Sequence, residues 1–225
     1  MNDMSTSNST LPFKIRKWKE KARQAGCSIH SASPLSTISK RNGEHLFSLL
    51  ETDVRSPEGN RLPHIVFVRG NATVVVPLLK NSDTGEERFL MVRQRRIGNG
   101  ALNLEFPAGM LDHENDNPAE IAAKELFEET GLDVAHTTLQ PLSESPLYSS
   151  SGASDEAIFY FGCAVTVSNE EFQSFENRFC GNADENEHIS VTLIANKAVL
   201  KETISLQAQL GYYLFKEHFC NKNSF

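Results

Sequence analysis

The pattern of apolar runs and caps predicts an α/β protein with a small β-rich appendage at its N-terminal end. Two runs, Thr73–Leu79 (TVVVPLL) and Ala157–Val167 (AIFYFGCAVTV), have the length and β-branched or aromatic content of buried strands. Between them Asn117, Pro118 and Gly131 bracket a helix: Asn caps, Pro suits the first helical position, and Gly supplies the left-handed stop. Strands separated by a helix and followed by a helical C-terminus build a layered α/β sheet.

Taken in order, the Ser/Thr/Asn-rich residues 1–12 are expected to be a disordered tail. Phe13–Ala25 (FKIRKWKEKARQA), closed by Gly26, reads as a short basic helix with Ile15, Trp18 and Ala22 on one side. So few apolar residues suit packing on its own domain or a partner subunit better than a membrane or nucleic acid. After a polar link, Glu44–Val54 and His64–Val68 read as strands around the turn Pro57-Glu58-Gly59-Asn60. Residues 13–65 therefore form the expected appendage, and 66–225 the main domain.

In that domain Asn81–Glu86 is a turn, Arg88–Arg93 pairs back on Thr73–Leu79 as a hairpin, and Gln94-Arg95-Arg96 ends the strand. Leu102–Phe106 is a further strand in which Glu105 alternates against Leu104 and Phe106. Glu105 is then an acid at the mouth of a site, or the outward residue of a strand. The Ser/Gly-rich loop Tyr148–Glu156 leads into the strand Ala157–Val167 and has the composition of a substrate-facing segment. A charged loop, Asn182–Glu187, precedes a strand His188–Ile194 and a long C-terminal helix to about Phe219.

A chain of 225 residues, 39% hydrophobic and 23% charged, can bury one sizeable core beside a smaller appendage. No apolar run approaches the roughly 18–20 residues of a membrane span. A net charge of −7 disfavours a nucleic-acid backbone as the main partner. Cys27, Cys163, Cys180 and Cys220 lack C-x-x-C spacing, so neither a zinc site nor a disulfide framework is indicated. Free thiols and the lack of an apolar leader among the first dozen residues lead us to expect a cytoplasmic protein; an organelle transit peptide is the alternative the composition leaves, disfavoured by Asp3 and the shortness of the tract.

The helix after Asn117 is unusual in where it carries charge. At about 100° per residue Glu125, Glu128 and Glu129 fall within one arc, and Ala119, Ala123, Leu126 and Phe127 in another. A solvated charged face is the ordinary use of such an arc. Here, however, the three acids sit near the negative end of the helix dipole, and Glu125 neighbours the other two at i+3 and i+4, each arrangement costing roughly 0.2–1 kcal/mol. A divalent cation reverses the sign of both terms. Oxygen ligands without Cys or His point to Mg²⁺ or Mn²⁺, and Mg²⁺ commonly takes a few carboxylates together with substrate phosphate oxygens.

Gly109 followed by Lys124-Glu125-Leu126-Phe127-Glu128-Glu129-Thr130-Gly131-Leu132, with Phe106-Pro107-Ala108-Gly109 leading in, resembles the Nudix box. Two departures stand out. Lys124 replaces the closing Arg, and one extra loop residue puts the early Glu of the box at Asp116 or Glu114. Lys124 can pair with Glu128 at i+4, either bracing that acid or forming a plain surface pair. The resemblance covers roughly residues 64–195 and implies an α/β/α sandwich with a mixed sheet. Pro107–Asp112, Ser151–Glu156 and the stretch Ala183-Asp184-Glu185-Asn186-Glu187 resemble the ADP-sugar diphosphatase and ADP-ribose pyrophosphatase branch.

The roles implied by that resemblance are specific. Ala108 (through its carbonyl), Glu125, Glu128, Glu129 and Glu187 are expected to hold Mg²⁺ (or Mn²⁺), Glu185 and Glu128 to be catalytic with Glu185 as general base, and Arg96, Glu105 and Glu156 to meet substrate. The expected substrate is a nucleoside diphosphate sugar such as ADP-ribose or ADP-glucose, and the expected assembly a homodimer joined through the N-terminal appendage. UDP-glucose or GDP-mannose, or a Nudix-folded module that binds a nucleotide without turnover, are the rival readings.

Overall fold

The computed structural model describes residues 11–176, 178–180 and 188–220. The chain divides into two compact units. One runs up to Asn71 and takes in Leu111–Asp116 and Tyr148–Ala157; the other comprises Ala72–Met110, Asn117–Leu147 and the chain from Ile158 on. The first division follows Asn71, and two later loops join the first unit.

The first unit holds α1 (Phe13–Gln24) and an antiparallel sheet of β1 (Ser28–Ser39), β2 (His45–Arg55) and β3 (Ile65–Val68), in the order β1-β2-β3. Gly26, at φ 81°, turns the chain out of α1. Ile15 of α1 is buried with Leu50 and Val68, and Leu11, Trp18 and Val66 pack around them. β1 corrects the expected polar link: its sequence, SIHSASPLSTIS, has no apolar alternation, yet it pairs with β2 from Ser28↔Arg55 to Ser39↔His45. Its backbone is made a strand by its partner, with register shifts along the way, and its side chains are mostly exposed.

Lys14 is the unexpected member of this core, with its side chain fully buried. Its ammonium donates to the Leu46 carbonyl and to Asp112 Oδ1, both at 2.9 Å, and the other Asp112 oxygen takes Lys40 at 2.8 Å. Burial alone would push the Asp112 carboxyl up, but the hydrogen bonds from Lys40 and Lys14 outweigh it and leave the group below its ordinary value.

The second unit is built on a mixed sheet. β4 (Ala72–Asn81) and β5 (Glu87–Arg95) form the expected hairpin; β6 (Leu102–Glu105) pairs with β5 and β7 (Ala108–Met110) with β4. After α2 (Pro118–Thr130) come the short β8 (Gln140–Pro141) and β9 (Leu147–Tyr148), then β10 (Ala157–Val167), which lies parallel to β4. The remaining elements are α3 (Asn169–Ser174), β11 (Phe179–Cys180), β12 (Ile189–Ala195), α4 (Val199–Glu202) and α5 (Leu206–Cys220). The main path across the sheet is β11-β12-β5-β4-β10-β8.

Alternation along β4 produces the layers. Val74 and Val76 enter one core with Phe89, Met91, Tyr160, Ala208 and Phe215, on the α5 side. Val75 and Leu79 enter another with Leu90, Ala122, Leu126, Phe161 and Phe175, on the α2 side. Helix, sheet and helix are therefore the α/β/α sandwich with a mixed sheet. The expected single C-terminal helix is broken into α4 and α5 at Thr203, whose hydroxyl donates to the Leu104 carbonyl at 2.6 Å and accepts from the Ser205 N–H. Among the described residues no helix is long and apolar enough to cross a membrane.

Candidate active site

The local geometry of α2 follows from its ends. Asn117 Oδ1 accepts from the Ala119 N–H at 3.0 Å, Pro118 occupies the first turn, and Gly131 closes the helix at φ 78°. The buried positions are Ala122, Leu126, Glu129 and Thr130, whereas Phe127 is 54% exposed. Of the packing face read in the sequence, Leu126 is buried and Ala119 and Ala123 pack against the same core, whereas Phe127 does not; positions 122, 126 and 129 make the buried stripe, and an acid lies in it.

That acid meets β7. Glu129 is buried, and its Oε2 accepts the Ala108 N–H at 3.2 Å. Glu125, one turn earlier, lays its carboxyl where a Cβ on residue 109 would stand, so only glycine lets the helix and β7 approach this closely. Glu128 points elsewhere: it is half-exposed and pairs with Lys124 at 3.1 Å. Two of the three expected carboxylates therefore converge on the Ala108–Gly109 backbone. Among the described residues no three His, Cys, Asp or Glu side chains form a cluster able to hold a metal ion. The donor set itself, carboxylate oxygens against a backbone with no intervening Cβ, fits a hard divalent cation.

A second polar group lies on the same face of the sheet. Val92 and Gln94 of β5 stand opposite Glu105 and Asn103 of β6. Leu104 alternates into the core on the other side. Arg96 donates to Glu105 Oε2 through both Nε (2.9 Å) and Nη2 (2.7 Å), and Asn103 Nδ2 donates to the other oxygen at 3.1 Å. Glu105 is buried, and the Arg96 side chain is 42% exposed. Glu105 is thus the group that orients Arg96, whose guanidinium edge it holds. Gln94 is also buried there, and its Oε1 has no hydrogen-bond partner among the described residues.

The other expected residues fall outside this group. Glu156 belongs to the first unit, where its Oε1 faces Arg69 Nε at 3.2 Å and its Oε2 accepts from Ser149 Oγ at 2.6 Å. Next to it, burial raises the Asp155 carboxyl above its ordinary value, against the pull of the Arg69 and Gly70 N–H groups that it accepts. The two candidates for the early acid of the box are also engaged in that unit: Glu114 pairs with Arg16 at 2.6 Å, and Asp116 Oδ2 accepts the His113 N–H. Glu185 and Glu187, with Asp184, lie outside the described residues.

One residue that sequence reasoning passed over stands at the end of α2. Arg178 Nη1 donates to the Thr130 carbonyl at 3.3 Å, its Nη2 to Ser174 Oγ at 3.2 Å, and its guanidinium carbon lies 5.1 Å from the centre of the Phe175 ring. The end of its guanidinium lies in the space a Cβ on residue 131 would take, while the φ of 78° is what calls for glycine there. Burial raises the Cys180 thiol, with Arg178 lowering it and Glu129 raising it, so both charges are felt at β11. A lone Arg in a loop gives no signal in sequence.

Comparison with known proteins places this geometry. Residues 69–204 match the model of the NUDIX domain. Nudix hydrolase 14, chloroplastic, of Arabidopsis thaliana is 29% identical over 178 residues, 76% of this chain and 57% of that protein, so the chain spans little more than half the length of that relative. The crystal structure of an ADP compounds hydrolase superposes with a TM-score of 0.58 at 14% identity, covering 88% of this chain and 97% of the other, a likeness of fold. With the matched region reaching from the end of β3 past α4 and containing the whole of β7, α2 and the Arg96–Glu105 pair, the chain belongs to the Nudix family.

Proposed function

We propose that the protein is a Mg²⁺-dependent pyrophosphohydrolase that adds water across the P–O–P link of an ADP-sugar, ADP-ribose or ADP-glucose, releasing AMP and a sugar phosphate. The observation that carries this reading is the meeting of Glu125 and Glu129 at the Ala108–Gly109 backbone, a concentration of negative charge beside a helix C-terminus.

In this reading Glu125, Glu128, Glu129, Glu187 and the Ala108 carbonyl hold the cation, with Glu128 turning from Lys124 to do so. When bound there, such a cation would supply neutralisation of the diphosphate and a lowered pKa for the attacking water. Glu185 accepts the proton of that water, and Glu105 fixes the Arg96 guanidinium so that its remaining donors meet a phosphate oxygen. Gly109 lets the backbone and the Glu125 carboxylate approach without a side chain between them.

The name of the structural neighbour, an ADP compounds hydrolase, supports adenine as the base. Incubation with ADP-ribose, ADP-glucose, UDP-glucose and GDP-mannose in Mg²⁺, with chromatography of the products, tests the reading. AMP release from the ADP-sugars is expected, and Glu129→Gln should lose several orders of magnitude in turnover while remaining folded. Ligand binding without cleavage of any of the four would replace the enzyme with a nucleotide-binding module.

We propose further that the protein is a cytoplasmic homodimer joined through its N-terminal unit. β1 is the edge of that unit's sheet and exposes Leu35 and Ile38. Light scattering should give twice the 25.0 kDa chain mass; a monomer mass at micromolar concentration would remove this assembly.

A further inference from the structure

Among the described residues α2 ends with acids at 125, 128 and 129 and has no basic residue in its last turn. Such an end is doubly unfavourable, since the helix dipole already places partial negative charge on its last carbonyls. Within the helix Lys124 answers Glu128 from an exposed position. Three carbonyls near this end have named partners: the Gly131 N–H reaches Phe127, the Thr130 hydroxyl reaches Leu126, and the Thr130 carbonyl takes the Arg178 guanidinium.

Arg178 is itself fixed from three sides. Its fork is shared between Thr130 and Ser174, its plane lies near the Phe175 ring, and its own carbonyl accepts the Val191 N–H at 2.8 Å. Ser174 and Phe175 close α3, and Val191 lies in β12. The guanidinium therefore ties the C-terminal end of α2 to the end of α3, through a planar two-donor geometry that an ammonium does not reproduce, while the backbone carbonyl of the same residue joins β12.

We propose that Arg178 is a positioning residue for the acidic face of α2, locking the last helical turn so that Glu125 and Glu129 are presented together at Ala108–Gly109. This rests on the reading of that face as a cation site. Residues that orient metal ligands without touching the metal typically change affinity or activity about 10–100-fold when removed. Arg178→Met should therefore weaken Mn²⁺ binding, followed by electron paramagnetic resonance without substrate, by roughly tenfold or more. It should lower kcat on ADP-ribose by a similar factor while KM stays within about threefold.

Ser174→Ala, which removes one acceptor and disturbs the fold less, should move both quantities in the same direction by a smaller factor. Arg178→Lys should recover thermal stability but not the Mn²⁺ affinity. If Arg178→Met and Ser174→Ala bind Mn²⁺ as tightly as the wild type and keep its kcat, losing only thermal stability, Arg178 is a structural cap and the proposal falls. A wild type that binds Mn²⁺ but cleaves none of the nucleotide sugars would instead overturn the proposed hydrolysis, leaving the Mn²⁺ comparison intact.

Discussion

Glu129 accepts the backbone N–H of Ala108 at 3.2 Å, a side chain in the buried stripe of α2 bonded to the strand that precedes it by 21 residues. Beside this contact Glu125 occupies the volume that any side chain at residue 109 would need. Gly109→Ala must displace the Glu125 carboxyl or push α2 away from β7. Turnover in Mg²⁺ should fall about 10–100-fold with the far-ultraviolet circular dichroism unchanged. Wild-type turnover in that variant would mean that the position of Glu125 is irrelevant to catalysis.

The buried Lys14 predicts a loss of stability within the first unit. Breaking a buried pair costs about 3–5 kcal/mol because one charge is left uncompensated. Since Asp112 keeps Lys40, Lys14→Met should cost less, about 2–3 kcal/mol in urea titration. Asp112 also fixes the sign of a pH effect. Its folded pKa lies below the ordinary 3.8, so its contribution is complete above that value and is lost as pH falls beneath it. Asp112→Asn should flatten that part of the acid-unfolding curve, and an unaltered curve would remove the assignment.

Elements with a pattern of their own were legible in the sequence. β10 is found at Ala157–Val167 as read, the β4–β5 hairpin within two residues at each end, and α2 between its cap and its stop. What stayed hidden depends on partners. β1 is a strand only because β2 pairs with it, and α4 and α5 separate only because Thr203 bonds to Leu104. At the site, helical spacing correctly grouped Glu125 with Glu129, but the direction in which the helix faces the sheet is a tertiary fact. That direction buries Glu129 and leaves Phe127 exposed. Arg96 and Glu105 were picked out singly; their pairing needs the β5–β6 register.

Cys163 sits in the core on the α2 side, and burial pushes its thiol up to about 12. At pH 8 it carries almost no thiolate, the form that reacts. Alkylation with iodoacetamide followed by peptide mass spectrometry should leave Cys163 unmodified in the native protein and modify it in urea. Cys27, which is partly exposed, should react without denaturant. Rapid native labelling of Cys163 would show that this face of the sheet opens.

Lys124 stands four residues before Glu128 and pairs with it at 3.1 Å, with side chains 57% and 48% exposed. Those exposures favour the plain surface pair over the brace. A pair this wet contributes about 0.3–0.5 kcal/mol at best, and salt screens it. An ammonium on a flexible stem also lacks the planar fork that would hold a carboxylate in one orientation. Lys124→Met should therefore change stability by less than about 0.5 kcal/mol and leave kcat on ADP-ribose within roughly threefold of wild type. The comparison with Arg178→Met is the informative one, because both variants remove one cation near the same acidic helix. If geometry matters and charge alone does not, the exposed lysine is dispensable and the fixed guanidinium is not. A hundredfold loss in Lys124→Met, with Arg178→Met near wild type, would place the brace of this helix at Lys124.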